Sequence, residues 1–220
     1  GGTTASISFA ENSTATVTTV TSTDDDGTST ATYSISGGAD AADFNIDGSS
    51  GVLTFKSAPD FETKIDSNTD NDYIVIVQVS DGLKTDSQTI TVSVTDVNEA
   101  PVITSNLGGT TASISFAENS TSTVTTVTSS DVDEGSTAAY SISGTDASVF
   151  DIDGTSGVLT FKSAPDFETK IDSNTDNDYI VIVTVTDSGS NTDSQTITVS
   201  VTNVNEAPVI TSNGGGSTGS

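Results

Sequence analysis

GVLTFKSAPDFETKIDSNTDNDYIVIV, residues 51–77, returns without a single change at residues 157–183. Its end, continued to residue 79, places Tyr73, Val75, Val77 and Val79 on one face and Ile74, Ile76 and Gln78 on the other. A period of two is the mark of a strand with unlike faces. Further along, Ile90, Val92 and Val94 alternate with Thr and Ser, and upstream Ala5, Ile7 and Phe9 alternate with Ser. No segment carries a helical period. The duplication extends outward from the central block. ASISFAENSTATVTTVTS at 5–22 returns as ASISFAENSTSTVTTVTS at 112–129, and VNEAP at 97–101 returns at 204–208. One residue is deleted near Gly144 and one inserted near Ser188, both in Gly/Ser/Asp-rich stretches suited to loops.

The chain is therefore two near-identical copies of a unit of ordinary domain size. The expected boundaries are 1–100 for repeat 1, 101–207 for repeat 2, and a Gly/Ser-rich tail at 208–220 that opens like a following repeat. Strands are expected in repeat 2 at 112–117, 123–129, 138–143, 150–152, 158–161, 179–186 and 194–202. Seven short strands with frequent turn signals predict an all-β fold: two tandem antiparallel Greek-key β-sandwiches joined end to end.

Composition narrows the function. There are 31 Asp and Glu against 5 Lys and Arg among 220 residues, a formal net charge of −26. Cys, His, Met and Trp are absent, which removes zinc fingers, haem ligands and Ser-His-Asp catalysis. A field this negative repels nucleic acid and anionic membranes and attracts hard cations. No apolar run reaches the roughly 20 residues of a membrane span. The missing initiator Met and signal peptide mark the sequence as a piece of something longer. Low apolar content, 32%, would suggest disorder, but the charged fraction is only 16% and the apolar residues are patterned.

The carboxylates fall in short recurring contexts, mostly at strand ends. They are Ala-Glu-Asn (Glu11, Glu118), Pro-Asp-Phe-Glu (Asp60 and Glu62, Asp166 and Glu168) and Asp-Val-Asn-Glu-Ala-Pro (residues 96–101). Two more are Asp-Val-Asp-Glu-Gly (Asp131, Asp133) and the aspartates that close the sixth strand (Asp81, Asp187). In this order the set resembles the cadherin repeat in its bacterial form, across essentially the whole chain and twice over. Glu11 matches the family's glutamate after the first strand, and Asp60-Phe61-Glu62 its Asp-x-Glu motif. Residues 96–101 match its linker, and Asp131-Val132-Asp133 and Asp24/Asp26 its Asp-x-Asp motif. Departures are a linker one residue shorter, Glu99 for the usual Asp, an insertion at 107–111, and Asn203 where repeat 1 has Asp96.

The resemblance implies Ca²⁺ at the junction of successive repeats. Glu11, Asp60 and Glu62 would come from the first repeat, Asn98 and Glu99 from the linker, and Asp131, Asp133 and Asp187 from the second. The seven carboxylates of that set carry −7, which three Ca²⁺ would largely neutralise. Asp24, Asp26 and Asp81, and likewise Glu118, Asp166, Glu168 and Glu206, are expected to form weaker half-sites. The acidic run 66–72 reads as a solvated loop, and Lys56, Lys64 and Lys84 as surface residues.

The expected role is a non-enzymatic, calcium-dependent extender in a secreted, cell-surface bacterial adhesin similar to the repeats-in-toxin type. Its partners would be calcium and neighbouring repeats, without nucleic acid or membrane insertion, and its state a monomer. The alternative is a module that itself binds a carbohydrate or another cadherin-like chain. Near-identity of the copies favours the extender. Residues 101–105 should pair as the opening of repeat 2's first strand. Gly1 aligns with Gly108, so repeat 1 is expected to lack such a segment within the given residues, and the same residues recur at 208–212.

Overall fold

A computed structural model describes residues 3–25, 30–210 and 212. It divides into two compact units, residues 1–97 and 98–220. Repeat 1 holds β1 (Thr4–Ala10), β2 (Thr16–Thr19), β3 (Thr32–Gly37), β4 (Phe44–Ile46), β5 (Val52–Phe55), β6 (Asp72–Ser80) and β7 (Thr85–Thr95). Repeat 2 holds β8 (Val102–Ile103), β9 (Thr111–Ala117), β10 (Thr123–Thr126), β11 (Ser129–Ser130), β12 (Ala139–Ser143), β13 (Phe150–Ile152), β14 (Val158–Phe161), β15 (Asp178–Thr186) and β16 (Thr192–Thr202). The expected tail at 208–220 lies mostly outside the described residues.

Each repeat is a sandwich of a four-stranded and a three-stranded sheet. In repeat 1 the orders are β1-β7-β6-β3 and β2-β5-β4; in repeat 2, β9-β16-β15-β12 and β10-β14-β13. The pairing is antiparallel with one exception in each repeat. The first long strand runs parallel to the last, Thr4 beside Thr89 through Ala10 beside Thr95, and Thr111 beside Thr196 in the copy. Alternation could not reveal this, because parallel and antiparallel strands share the same period.

The period does decide the core. Tyr73, Val75 and Val77 of β6 and Ile90 and Val92 of β7 are at most 1% exposed, while Ile74 and Ile76 lie half-buried on the opposite face. Phe44, Phe55 and Tyr73 meet across the two sheets, with Phe55 edge-on to Tyr73 at 5.1 Å between centroids. Fully burying each such side chain contributes about 1.5–3 kcal/mol, which lets a small disulfide-free sandwich fold. Gly51 serves the turn before β5. At φ +71 it packs against the Val20 carbonyl where a Cβ would clash, and its own carbonyl accepts the Val20 N–H at 2.9 Å.

Two loops differ from their expected character. The run 66–72 is solvated over residues 67–70, as expected, but is anchored at Asp66 and Asn71, each 3% exposed. Asp66 accepts the N–H groups of Asp70 (2.9 Å) and Asn71 (3.2 Å). Asp40, also 3% exposed, accepts those of Ser67 and Ile74, both at 2.7 Å. Backbone donors folded under a sheet need acceptors, and these aspartates supply them. Asp146 repeats this in the second copy with Ser173 and Ile180, both at 2.8 Å, while Asp172 accepts the Asp176 N–H at 2.8 Å through Oδ2 and buries Oδ1 with no hydrogen-bond partner among the described residues. The second loop holds the residue inserted near Ser188, which shapes the site described next.

Candidate metal centres

Three groups of three carboxylates converge among the described residues, each with ligand atoms within 4.8 Å of one another. Repeat 1 holds Glu11, Glu62 and Asp96; repeat 2 holds Asp131, Asp133 and Asp187, and separately Glu118, Asp166 and Glu168.

Glu11 ends β1 beside the end of β7. Its N–H donates to the Thr95 carbonyl, and the next residue, Asn12, turns the chain at φ 57. The side chain is 3% exposed. Its two oxygens accept the N–H groups of Phe61 (2.7 Å) and Val97 (2.9 Å), so one carboxylate ties the Asp-Phe-Glu loop to the start of the linker. Glu118 does the same with Phe167 and Val204, both at 2.7 Å.

In repeat 1 the third converging carboxylate is Asp96, which was read from sequence only as part of the linker motif. Asp60, expected as a ligand, is not among the converging carboxylates; its Oδ1 accepts the Thr63 N–H at 2.8 Å. In repeat 2 Asn203 occupies the position of Asp96 and donates its amide to Glu168 Oε1 at 2.6 Å, and Asp166 completes that group. The exchange of Asp for Asn, visible in the sequence, was the available signal that the position carries charge in one copy alone. Glu206 accepts from Asn119 at 2.7 Å.

The second group is built on two loops. Asp131 leads the turn after β11: Oδ1 accepts the Asp133 N–H and Oδ2 the Ser136 hydroxyl at 2.6 Å. The Ser136 hydroxyl holds the Asp131 carboxyl below the ordinary carboxylate range. Asp187 ends β15 and is 7% exposed. Its Oδ1 accepts the Asn191 N–H at 2.7 Å and its Oδ2 the Asn98 amide at 2.8 Å. Asp133 Oδ2 accepts the Glu99 N–H at 2.8 Å. Asp133 Oδ1 is buried, and no hydrogen-bond partner reaches it among the described residues.

Asn98 and Glu99 thus do reach the second group, Asn98 through its side-chain amide and Glu99 through its backbone N–H. The loop lengthened near Ser188 helps to seat them. Asn191 donates its amide to the Asn98 carbonyl at 2.8 Å, and Gly189 leaves the space that the Asn98 amide fills. Neither residue was singled out from sequence. Asp81 instead closes a tight turn, its carboxyl lowered by the N–H groups of Lys84 and Leu83. Asp24 lines a surface groove with Asp81, and Asp26 lies outside the described residues.

These donors suit a hard divalent cation. Calcium takes about six to eight oxygens in irregular arrangements, and mixed carboxylate and carbonyl sets are its usual shell. Asp133 Oδ1 is buried and donor-free within a group carrying three negative charges, and hydrogen bonding does not account for its burial.

The cadherin domain family profile matches residues 5–95 and 112–202. Among solved structures, repeats EC1-2 of human protocadherin-24 superpose with a TM-score of 0.61 at 24% identity, covering 92% of this chain and 95% of that one. Repeats EC22-24 of mouse cadherin-23 give 0.54 at 23%, covering 90% of this chain and 63% of that one. Repeats 3–6 of protocadherin gamma B2 give 0.58 at 20%, covering 95% and 48%. At these identities the likeness is one of fold, and the chain spans less than two thirds of the last two. No curated protein shows significant sequence similarity to the chain.

Proposed function

The chain belongs to the cadherin family as two tandem repeats, and from that premise we propose that it is a calcium-dependent structural extender in a secreted bacterial cell-surface adhesin. Cadherin repeats are extracellular, non-enzymatic adhesion-type modules, and they generally bind calcium. No helix among the described residues is long and apolar enough to cross a membrane. The extender reading adds that Ca²⁺, held by Glu11, Asp60, Glu62, Asp96, Asn98, Glu99, Asp131, Asp133 and Asp187, stiffens the tandem.

One observation carries it. The linker begins in one carboxylate group, at Asp96, and two residues later Asn98 bonds to a member of another, Asp187. Cations bound to both groups would fix the backbone on either side of Val97 and so restrict the hinge. Near-identical copies suit a spacer, whose task is repeated without variation. A strongly acidic, Cys-free chain suits export in an unfolded state followed by folding in external calcium.

Calorimetric titration with calcium, with circular dichroism and small-angle scattering alongside, tests this. The expected result is tight binding, a large rise in melting temperature, and a longer, narrower distance distribution in calcium. Magnesium should do much less, since it demands a near-ideal octahedron. Identical melting and scattering in chelator and in millimolar calcium would overturn the proposal.

A further inference from the structure

Asn98 and Glu99 belong to the compact unit of repeat 2, and one loop of that unit grips them. Asp187 ends β15, and Ser188-Gly189-Ser190-Asn191 leads on to β16. The loop closes on its own ends. The Asp187 N–H donates to the Asn191 carbonyl at 3.0 Å, and the Asn191 N–H returns to Asp187 Oδ1 at 2.7 Å. Ser190 makes the turn between them at φ 78. Asp187 and Asn191 are thereby fixed relative to each other. Two bonds join this bracket to residue 98: Asn98 Nδ2 donates to Asp187 Oδ2, and Asn191 Nδ2 donates to the Asn98 carbonyl, both at 2.8 Å. Gly189 lies against the Asn98 amide group, and a Cβ there would overlap it.

These bonds differ in what a bound cation would do to them. Asp187 Oδ2 takes the Asn98 amide and Asp133 Oδ2 takes the Glu99 N–H, and both acids belong to one converging carboxylate group. A cation held by that group competes with those donors for the same lone pairs. The Asn191 bond ends on a backbone carbonyl and uses no carboxylate, so cation binding does not displace it. It can hold residue 98 beside the group before and after an ion arrives. A segment ordered in advance lowers the entropic cost of binding.

Repeat 1 builds the corresponding loop differently, although residues 51–77 and 157–183 are identical. Asp81 is followed by Gly82-Leu83-Lys84, one residue fewer, before the shared Thr-Asp-Ser-Gln. Asp81 Oδ1 accepts the Leu83 N–H at 2.7 Å and the Lys84 N–H at 2.6 Å. Lys84 therefore stands where repeat 2 has Asn191. An ammonium there brings a positive charge that competes with a bound ion for the acid oxygens, whereas the Asn191 amide is a neutral donor. The inserted residue and the Asn come together, in the loop that grips residue 98.

We propose that Asn191 is a positioning residue: it seats the backbone of Asn98 and Glu99 on repeat 2 before a cation binds. The loop Asp187–Asn191 then distinguishes a repeat that carries this seat from one whose loop, like Asp81–Lys84, lacks the amide. The seat itself is read without calcium. Its effect on affinity rests on the calcium reading above.

Amide hydrogen exchange, followed by NMR on the 220-residue chain in chelator, tests the seat. The Glu99 N–H should be protected in the wild type and exchange about 3- to 10-fold faster in Asn191→Ala, as expected for the loss of one hydrogen bond. Asn191→Asp keeps the shape but not the donor and should do the same. The Thr104 N–H, bonded to the Thr128 carbonyl at 2.8 Å, is the internal standard and should not change. Unaltered Glu99 exchange in Asn191→Ala, or Asn191→Asp as protected as the wild type, would overturn the proposal. So would Thr104 exchange that quickens equally, since Asn191 would then merely support the fold. Calorimetry with calcium adds a second arm. Both variants should bind about 3- to 10-fold more weakly. Tighter binding by Asn191→Asp, as expected if residue 191 acted through charge or as a ligand, would overturn the positioning role. A wild type that binds no calcium overturns the function proposed above, while the exchange rates still decide the seat.

Discussion

Replacing Asp133 by Asn should raise stability in chelator and blunt the response to calcium. Asp133 shares a group with Asp131 and Asp187 whose ligand atoms lie within 4.8 Å of one another. Two unit charges at that separation repel by about 0.9 kcal/mol in water-like surroundings and several-fold more at lower dielectric. Asp133 faces two such neighbours, so neutralising it relieves about 1–2 kcal/mol, taking the low end because Asp131 and Asp133 are part-exposed. The Asn side chain can keep its oxygen on the Glu99 N–H and turn its NH₂ toward the two remaining carboxylates. That converts a buried oxygen without a donor into a donor among acceptors. In calcium the balance reverses. At 1,000 times its dissociation constant a ligand stabilises by about 4 kcal/mol. Binding weakened 10- to 100-fold removes about 1.4–2.7 kcal/mol of that. A domain of this size shifts by about 4–8 °C per kcal/mol. Thermal melts should therefore place Asp133→Asn above wild type in chelator and level with or below it in calcium. Asp146→Ala is the control: it removes the acceptor of two backbone N–H groups, Ser173 and Ile180, and should be destabilising in both media alike. If Asp133→Asn lowers the melting temperature equally in both media, Asp133 is an anchor like Asp146 and the cation reading of the group fails.

Glu11→Ala should destabilise repeat 1 by about 2–4 kcal/mol even in chelator, since it strands the Phe61 and Val97 N–H groups; the first melting transition reports it. Asp131 has a depressed folded pKa, so its contribution is present above the unfolded value near 3.8 and is lost as pH falls through the lower folded value. Asp131→Asn should accordingly flatten the acid limb of the stability profile of repeat 2 in chelator, measured by denaturant titration between pH 4 and 2. Gly189→Ala places a methyl where the Asn98 amide sits and should weaken calcium binding by about tenfold while leaving the circular dichroism spectrum unchanged.

Much of this was legible in the sequence, for identifiable reasons. The alternation from Tyr73 to Val79 fixes which side chains enter the core, and duplication fixes the number of repeats. Glu11, Glu62, Asp131, Asp133 and Asp187 all fall in converging groups because motif order reports loop order around a sandwich end. The chain offered no sign of the parallel pairing of β1 with β7, which period two leaves open. It also gave no means of ranking acidic loops. Asp40 and Asp66 look in sequence like Asp131 and Asp133: aspartates in polar, glycine- or serine-rich turns. In the fold they differ by what fills their lone pairs. Both Asp40 oxygens are met by backbone N–H groups at 2.7 Å. That carboxylate is spent on holding a loop, and its burial is accounted for without a cation. Asp133 meets one N–H with Oδ2 and buries Oδ1 among two other carboxylates with no donor. A buried anionic oxygen left in that state costs free energy that a bound cation removes. The separation of anchor from ligand therefore lies in the donor count taken together with the neighbouring carboxylates, since Asp172 also buries an oxygen without a donor but belongs to none of the converging groups among the described residues; residue spacing alone carries neither property.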